Sequence, residues 1–215
     1  MDINIFYKVG FLILTYLFGA FPTAYVIYKL KRGGDIREYG SGNVGGTNIT
    51  RTIGVSNGVL TIIIDIIKGF LPILALYLIF PEDTILLAIT SVVVVLGHDF
   101  PVYINFKGGK GIATSAGVII GVCSLPFFDG AVWKELLPIL IIVFVEFSLI
   151  GIVGIVSLAS LAAAVATPLS FLFTGYPVEI VLSMLVLGIL VFITHRDNIK
   201  RLIRKEEKKI RGRGG

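Results

Sequence analysis

Long apolar stretches dominate this chain and leave few folds open to it. Seven can be marked, at about 5–28, 55–80, 84–105, 111–128, 131–150, 155–173 and 177–194. Several approach the roughly 20 residues that a helix needs to cross a bilayer. Of the 215 residues, 55% are hydrophobic and only 15% are charged, against about 25% charged in an ordinary soluble domain. Mean hydropathy is +0.93. A soluble core of this size could not hide so much apolar surface, so much of it must face lipid. The expected fold is all-α: a polytopic membrane bundle of about seven transmembrane helices. Disorder, a disulfide scaffold and a free cytosolic enzyme are excluded. The single cysteine, Cys123, lies in an apolar run and reads as packing.

The first run continues into Tyr25 to Arg32 with no small-residue cleavage pattern, so it reads as a retained span. The third is apolar only from Thr84 to Gly97, before His98 and Asp99 interrupt it. Residues 131–173 carry no long polar break, and their division near Gly151 and Gly154 is the least marked. The domain reading is a transmembrane domain with an active site at its cytoplasmic face over 1–195 and a basic cytoplasmic tail over 196–215.

Charge orients the bundle. With the N-terminus outside, sixteen of the nineteen Lys and Arg fall on the inner side, nine of them between Arg196 and Arg213. Only Lys8 and Lys134 fall outside, while Lys68 lies within a span; the outer turns carry Glu82, Asp83 and Asp129. Basic residues collect in cytoplasmic loops, so the expected topology is N-out and C-in. The net charge of +5 therefore reflects the membrane and not a nucleic-acid partner, and the tail can lie on anionic lipid. The same topology puts three polar, glycine-rich segments on the cytoplasmic side: 40–48, 97–111, and the stretch that opens with His195. One site built from all three is the economical expectation.

The first segment is Gly40-Ser41-Gly42-Asn43-Val44-Gly45-Gly46-Thr47-Asn48. Its GxGxxG spacing lacks the strand and βαβ unit of a dinucleotide site. What remains is a loop of unhindered N–H groups and small polar side chains suited to an anion, with Arg51 able to add a bidentate phosphate contact. A flexible turn between spans would leave the clustering of Ser41, Asn43, Thr47, Asn48 and Arg51 unexplained. The second is Phe106-Lys107-Gly108-Gly109-Lys110-Gly111. It is not a Walker A loop, but glycines between lysines at the head of an apolar helix suit an anion, because the helix start offers free N–H groups and a favourable dipole. Lysines that merely snorkel to the interface would need no glycines.

Both histidines, His98 and His195, fall beside these segments, and each is a candidate proton carrier. No second histidine or cysteine stands at ligand spacing, so no metal is expected. The His-x-x-x-x-Asp arrangement of many acyltransferases is missing, Tyr103 and Lys200 occupying the fifth positions. Asp65 and Lys68 share one face of the second span, and buried charges in a membrane are costly and often functional.

Three motifs in order resemble those of one family. Gly40 to Asn48 with Arg51 looks like its first. Gly97-His98-x-Phe100-Pro101-Val102 through Lys107-Gly108-Gly109-Lys110-Gly111-x-Ala113-Thr114 looks like its second, and His195-Arg196-x-Asn198-Ile199-x-Arg201-Leu202 like its third. The family is the PlsY family of integral-membrane acyl-phosphate:glycerol-3-phosphate acyltransferases. The resemblance also takes in Asp65-x-x-Lys68-Gly69-x-x-Pro72 and Ser157-Leu158-Ala159-Ser160. Three positions depart from the pattern. Gly46 replaces a usual alanine, and Gly154 stands where a basic residue often precedes the serine. Lys205 replaces the glycine ahead of the family's last glutamate, which aligns with Glu207.

The resemblance implies acyl transfer from acyl phosphate to the 1-hydroxyl of glycerol 3-phosphate, in phospholipid biosynthesis, at the inner face of the cell membrane, without cofactor. Both substrates carry phosphate, which fits two anion-binding loops. Catalytic roles are expected for Ser41, Lys107, His98, His195 and Asn198. Substrate contacts are expected for Gly42, Asn43, Thr47, Asn48, Arg51, Gly108, Gly109, Lys110, Gly111, Ser157 and Arg201. The alternative class is a transporter of an organic phosphate or other anion. It would suit intramembrane Asp65 and Lys68 but leaves the one-sided placement of the polar motifs without a reason.

Overall fold

The structure, a computed structural model, describes residues 3–125 and 132–209. Asp129, Arg211 and Arg213, used above to orient the chain, lie outside those residues. Ten α-helices occur among them: α1 (Ile3–Gly19), α2 (Thr23–Arg32), α3 (Gly46–Ile53), α4 (Val55–Ile79), α5 (Thr84–Asp99), α6 (Ile112–Ser124), α7 (Val132–Val153), α8 (Val156–Phe173), α9 (Val178–Thr194) and α10 (Arg196–Ile203). Helices are what such runs must form in lipid, where every backbone N–H and C=O needs an internal partner. The chain divides into two compact units, Met1–Phe127 and Phe128–Gly215.

Within the described residues each of the seven apolar stretches holds a helix, with two differences from the expected spans. The first is broken. Pro22 cannot donate to the helix ladder, and α1 stops at Gly19 before α2 starts at Thr23. The break leaves the Phe21 carbonyl outside any helix, facing α4. The fourth is short: α6 has 13 residues, and only five described helices, or six if the α9–α10 pair bent by 62° is one span, are long and apolar enough to cross a membrane. The division at 151–154 holds. Gly154, at φ 75°, separates α7 from α8.

In the first unit, glycines let helices meet at their backbones. A Cβ at Gly19 would overlap the Val94 carbonyl, and one at Gly97 the Tyr16 carbonyl, so α1 lies against α5. Gly117 meets Ile66 and Gly121 meets Ile73. The helix α6 therefore runs parallel to α4, and its first turn meets α4 well inside it, where a Cβ at Gly69 would overlap the Thr114 carbonyl. The Lys8–Asp83 ion pair, 2.6 Å, ties one end of this unit. At the other end the loops 33–45 and 100–111 meet, where Arg37 Nη1 donates to the Ile104 carbonyl at 3.0 Å. In the second unit α8 packs between α7 and α9, and a Cβ at Gly188 on α9 would press on the Ala164 carbonyl.

Candidate active site

Loop 33–45 is a built structure. Asp35 accepts the Arg37 N–H at 2.9 Å and starts a 3₁₀ turn over Ile36–Glu38. The Arg37 guanidinium closes on the same carboxylate at 2.6 Å and holds it below the usual aspartate range. Ile36, Val44, Ile49 and Ile104 are buried with Ala24 and Tyr28 in a small core beneath. Both motif loops are thus fixed to one apolar floor.

Asn48 organises the first loop. It is 1% exposed. Its Oδ1 accepts the Ser41 N–H at 2.8 Å, and its Nδ2 donates to the carbonyls of Tyr39 and Asn43, both at 3.0 Å. Expected as a substrate contact, Asn48 is instead a brace, because its amide is used within the protein. Gly40, at φ 63°, has no room for a side chain beside the Asn48 amide, and Gly42 is at φ 72°. Ser41, Thr47 and Arg51 remain exposed, with Asn43 and Gly42 half-buried. Thr47 and Arg51 lie one turn apart on α3 and share a face.

The second loop turns sharply after α5, with Asn105 and Phe106 both at φ 57°. Gly108 N–H donates to the Asp99 carbonyl and Gly109 N–H to the His98 carbonyl, each at 3.2 Å. Those two amides, expected to cradle an anion, are therefore spent on the end of α5. The glycines are required for a different reason. A Cβ at Gly108 would overlap the His98 carbonyl, and one at Gly109 the His98 Nε2. Only Gly111, at φ 72°, needs its special backbone. The donors left for an anion are the unpaired N–H groups of the first turn of α6. Lys107 is exposed beside them, and Lys110 half-buried.

Behind this loop lies a buried polar network. Lys68 Nζ stands 3.0 Å from each of three groups: the Phe21 carbonyl freed by the Pro22 break, Asp65 Oδ1 and His98 Nδ1. Thr23 Oγ1 donates to Asp65 Oδ1 at 2.8 Å. Asp65 and Lys68 are 2% and 3% exposed. The pair that sequence left between structural and substrate roles is thus internal.

In the second unit, His195 joins α9 to α10. Its Nδ1 lies 2.9 Å from the Val191 carbonyl. A carbonyl only accepts, so Nδ1 carries a proton, and in the neutral ring Nε2 is the acceptor. Glu207, aligned above with a family glutamate but given no role, holds this motif together. It accepts from Ser157 Oγ at 2.9 Å, Asn198 Nδ2 at 2.6 Å and Arg201 Nε at 2.6 Å. Burial works against its charge, yet these three hydrogen bonds outweigh it and keep its carboxyl below the usual glutamate range. Ser157, 5% exposed, and the Nε of Arg201 are therefore committed to Glu207, not to substrate as expected. The available signal was the alignment of Glu207 with the family's last glutamate. Lys205 adopts φ 60° in the turn that returns Glu207 to α8.

A family profile described as glycerol-3-phosphate acyltransferase matches residues 9–205. The chain belongs to the glycerol-3-phosphate acyltransferase family. Curated members include the glycerol-3-phosphate acyltransferase of Endomicrobium trichonymphae, 39% identical over 204 residues and covering 95% of this chain and 96% of the relative. That of Aquifex aeolicus (strain VF5) is 40% identical over 199 residues, 91% of this chain and 95% of the relative. Among solved structures of glycerol-3-phosphate acyltransferases, the glycerol 3-phosphate form of PlsY, an integral membrane enzyme, superposes with a TM-score of 0.83 at 37% identity, covering 95% of this chain and 96% of that one. The lysophosphatidic acid form gives 0.79, also at 37% identity, with 94% of each covered.

Proposed function

We propose that this chain transfers a fatty acyl group from acyl phosphate to the 1-hydroxyl of glycerol 3-phosphate, yielding lysophosphatidate and phosphate. Membership of the acyltransferase family over 9–205 carries the reading. It is supported by two anion-adapted loops and a histidine whose Nε2 is an acceptor. Acyl phosphate is a mixed anhydride with a good leaving group, so no acyl-enzyme, cofactor or metal is called for. Positioning and charge neutralisation suffice.

Lys107, Lys110 and the first turn of α6 hold a phosphate, that of glycerol 3-phosphate. Ser41, Asn43, Thr47 and Arg51 hold the second phosphate or the developing oxyanion. His195, with Asn198 beside it, orients the attacking hydroxyl and accepts its proton at Nε2. The chain is a multi-pass membrane protein of the cell membrane, with this chemistry at the cytoplasmic face. The distribution of basic residues supports that side, and α6, which ends beside the last turns of α4, supports a seventh crossing.

The test is purified protein in detergent given acyl phosphate and labelled glycerol 3-phosphate, scored for lysophosphatidate. Product is expected with acyl phosphate and little or none with acyl-CoA. Equal turnover with both donors would overturn the donor assignment. No product with either would leave the anion-transport reading.

A further inference from the structure

The chemical state of His98 can be read from the group behind it. An ammonium has three protons and no acceptor. Around Lys68 Nζ stand three acceptors, each at 3.0 Å: Phe21 O, Asp65 Oδ1 and His98 Nδ1. All three protons are thereby placed, and one points at the ring. With Lys68 charged, as its ion pair with Asp65 implies, Nδ1 presents its lone pair, and the proton of a neutral imidazole sits on Nε2. A carboxylate–histidine dyad would require the opposite, with Nδ1–H directed at Asp65. That separation is 3.7 Å, beyond hydrogen-bonding range.

Nε2 is the atom turned towards the glycine–lysine loop. It occupies the space that a Cβ on Gly109 would fill, and no described residue supplies it with an acceptor. The ring is 9% exposed, and its carbonyl receives the Gly109 N–H. An N–H donor is therefore held at the floor of a loop flanked by Lys107 and Lys110, where an anion is the fitting acceptor.

We infer that Lys68 is a positioning residue that fixes His98 as an Nε2–H donor to the phosphate held by the 107–111 loop, so that His98 binds and does not carry a proton. The identity of that phosphate rests on the glycerol 3-phosphate reading; the protonation pattern of His98 does not. The inference assigns Asp65, Thr23 and the broken helix at Pro22 one purpose: to hold the ammonium that holds the ring.

Only two histidines exist, which makes the state directly measurable. Nitrogen-15 histidine spectra of the full-length protein in detergent should show one ring protonated at Nε2 and one at Nδ1. The Nε2-protonated ring should vanish in His98→Gln. In kinetics, glutamine can place an N–H where Nε2 was and asparagine cannot. His98→Gln should exceed His98→Asn by about tenfold in kcat/KM for glycerol 3-phosphate, the worth of one hydrogen bond to a charged group. Lys68→Met should raise KM for glycerol 3-phosphate about tenfold, with a smaller change in kcat, and alter the His98 nitrogen pattern; Lys68→Arg should restore much of both. An Nδ1-protonated or doubly protonated His98 in the wild type would overturn the inference, as would equal activity of the two His98 variants. Should Lys68→Met not fold, the wild-type spectrum and the His98 pair still decide. If the protein made no lysophosphatidate, the functional reading would fail while the spectrum still judged the ring.

Discussion

His98 and His195 each stand at the end of an apolar helix beside a polar motif, and in sequence they look alike. Their surroundings make them opposites. His98 has an ammonium at Nδ1, which leaves Nε2 a donor. His195 has a carbonyl of its own helix there, which leaves Nε2 an acceptor. One ring can hold an anion and the other can take a proton. Residue type fixes only what a histidine could do. The group at its back fixes what it does.

The comparison breaks most visibly at His195. His195→Asn keeps a donor for the Val191 carbonyl but has nothing at the Nε2 position. If Nε2 accepts the hydroxyl proton, kcat should fall by about 10²–10⁴, measured by lysophosphatidate formation at saturating substrates. A fall below tenfold would mean that the two rings do not differ in this way. Next in size is Gly109→Ala. The methyl must displace the His98 ring, so KM for glycerol 3-phosphate should rise about tenfold or more. If the glycine merely opened a path for an anion, the added alanine of His98→Ala/Gly109→Ala should be as harmful as in the wild type. If the clash is chiefly with His98, it should add less, the remainder being the approach of the methyl to the Val44 carbonyl.

Glu207→Gln tests the support on the His195 side. Glutamine cannot accept from Ser157, Asn198 and Arg201 as a carboxylate does, and a loss of about 1–3 kcal/mol is expected in thermal unfolding at neutral pH. The carboxyl of Glu207 titrates lower in the folded protein than in the unfolded chain. Its contribution is therefore present above the unfolded value of about 4.3 and is lost as pH falls through the lower folded value. The gap between wild type and variant should close in acid. A constant gap would assign the loss to packing. The smallest effect is expected at Asp99, next to His98. Both its oxygens are buried without a hydrogen-bond partner, and an amide costs less to bury than a carboxylate. Asp99→Asn should raise stability by about 1 kcal/mol. A loss would show that the carboxylate has a partner of its own.

The helical bundle was legible because apolar stretches long enough for lipid admit little else, and the three motifs were legible because glycine, lysine and histidine cluster there in a way that crossing the bilayer does not require. What was not legible depends on atoms brought together from distant positions. Asn48 looks like a ligand contact until its amide is seen to close its own loop. Ser157 looks the same until Glu207, fifty residues on, reaches its hydroxyl. Gly108 and Gly109 read in sequence as an anion cradle, since nothing in a linear motif says that His98 fills the space beside them. The break at Pro22 falls in a stretch whose apolar character runs through without interruption.

The first turn of α6 meets α4 at Gly69, so the lysine-bearing loop that leads into it stands well along α4 from the first residue of that helix. A reaction between a small water-soluble molecule and a long-tailed one can happen by raising the tail or by lowering the small molecule. Drawing a tail out of hydrocarbon costs about 0.8 kcal/mol for each methylene, and a few of them would exceed what one good hydrogen bond returns. A recessed floor avoids that work. On the proposed placement of the phosphate, the soluble partner, already hydrated and mobile, would make the descent and the greasy one would stay at its own depth.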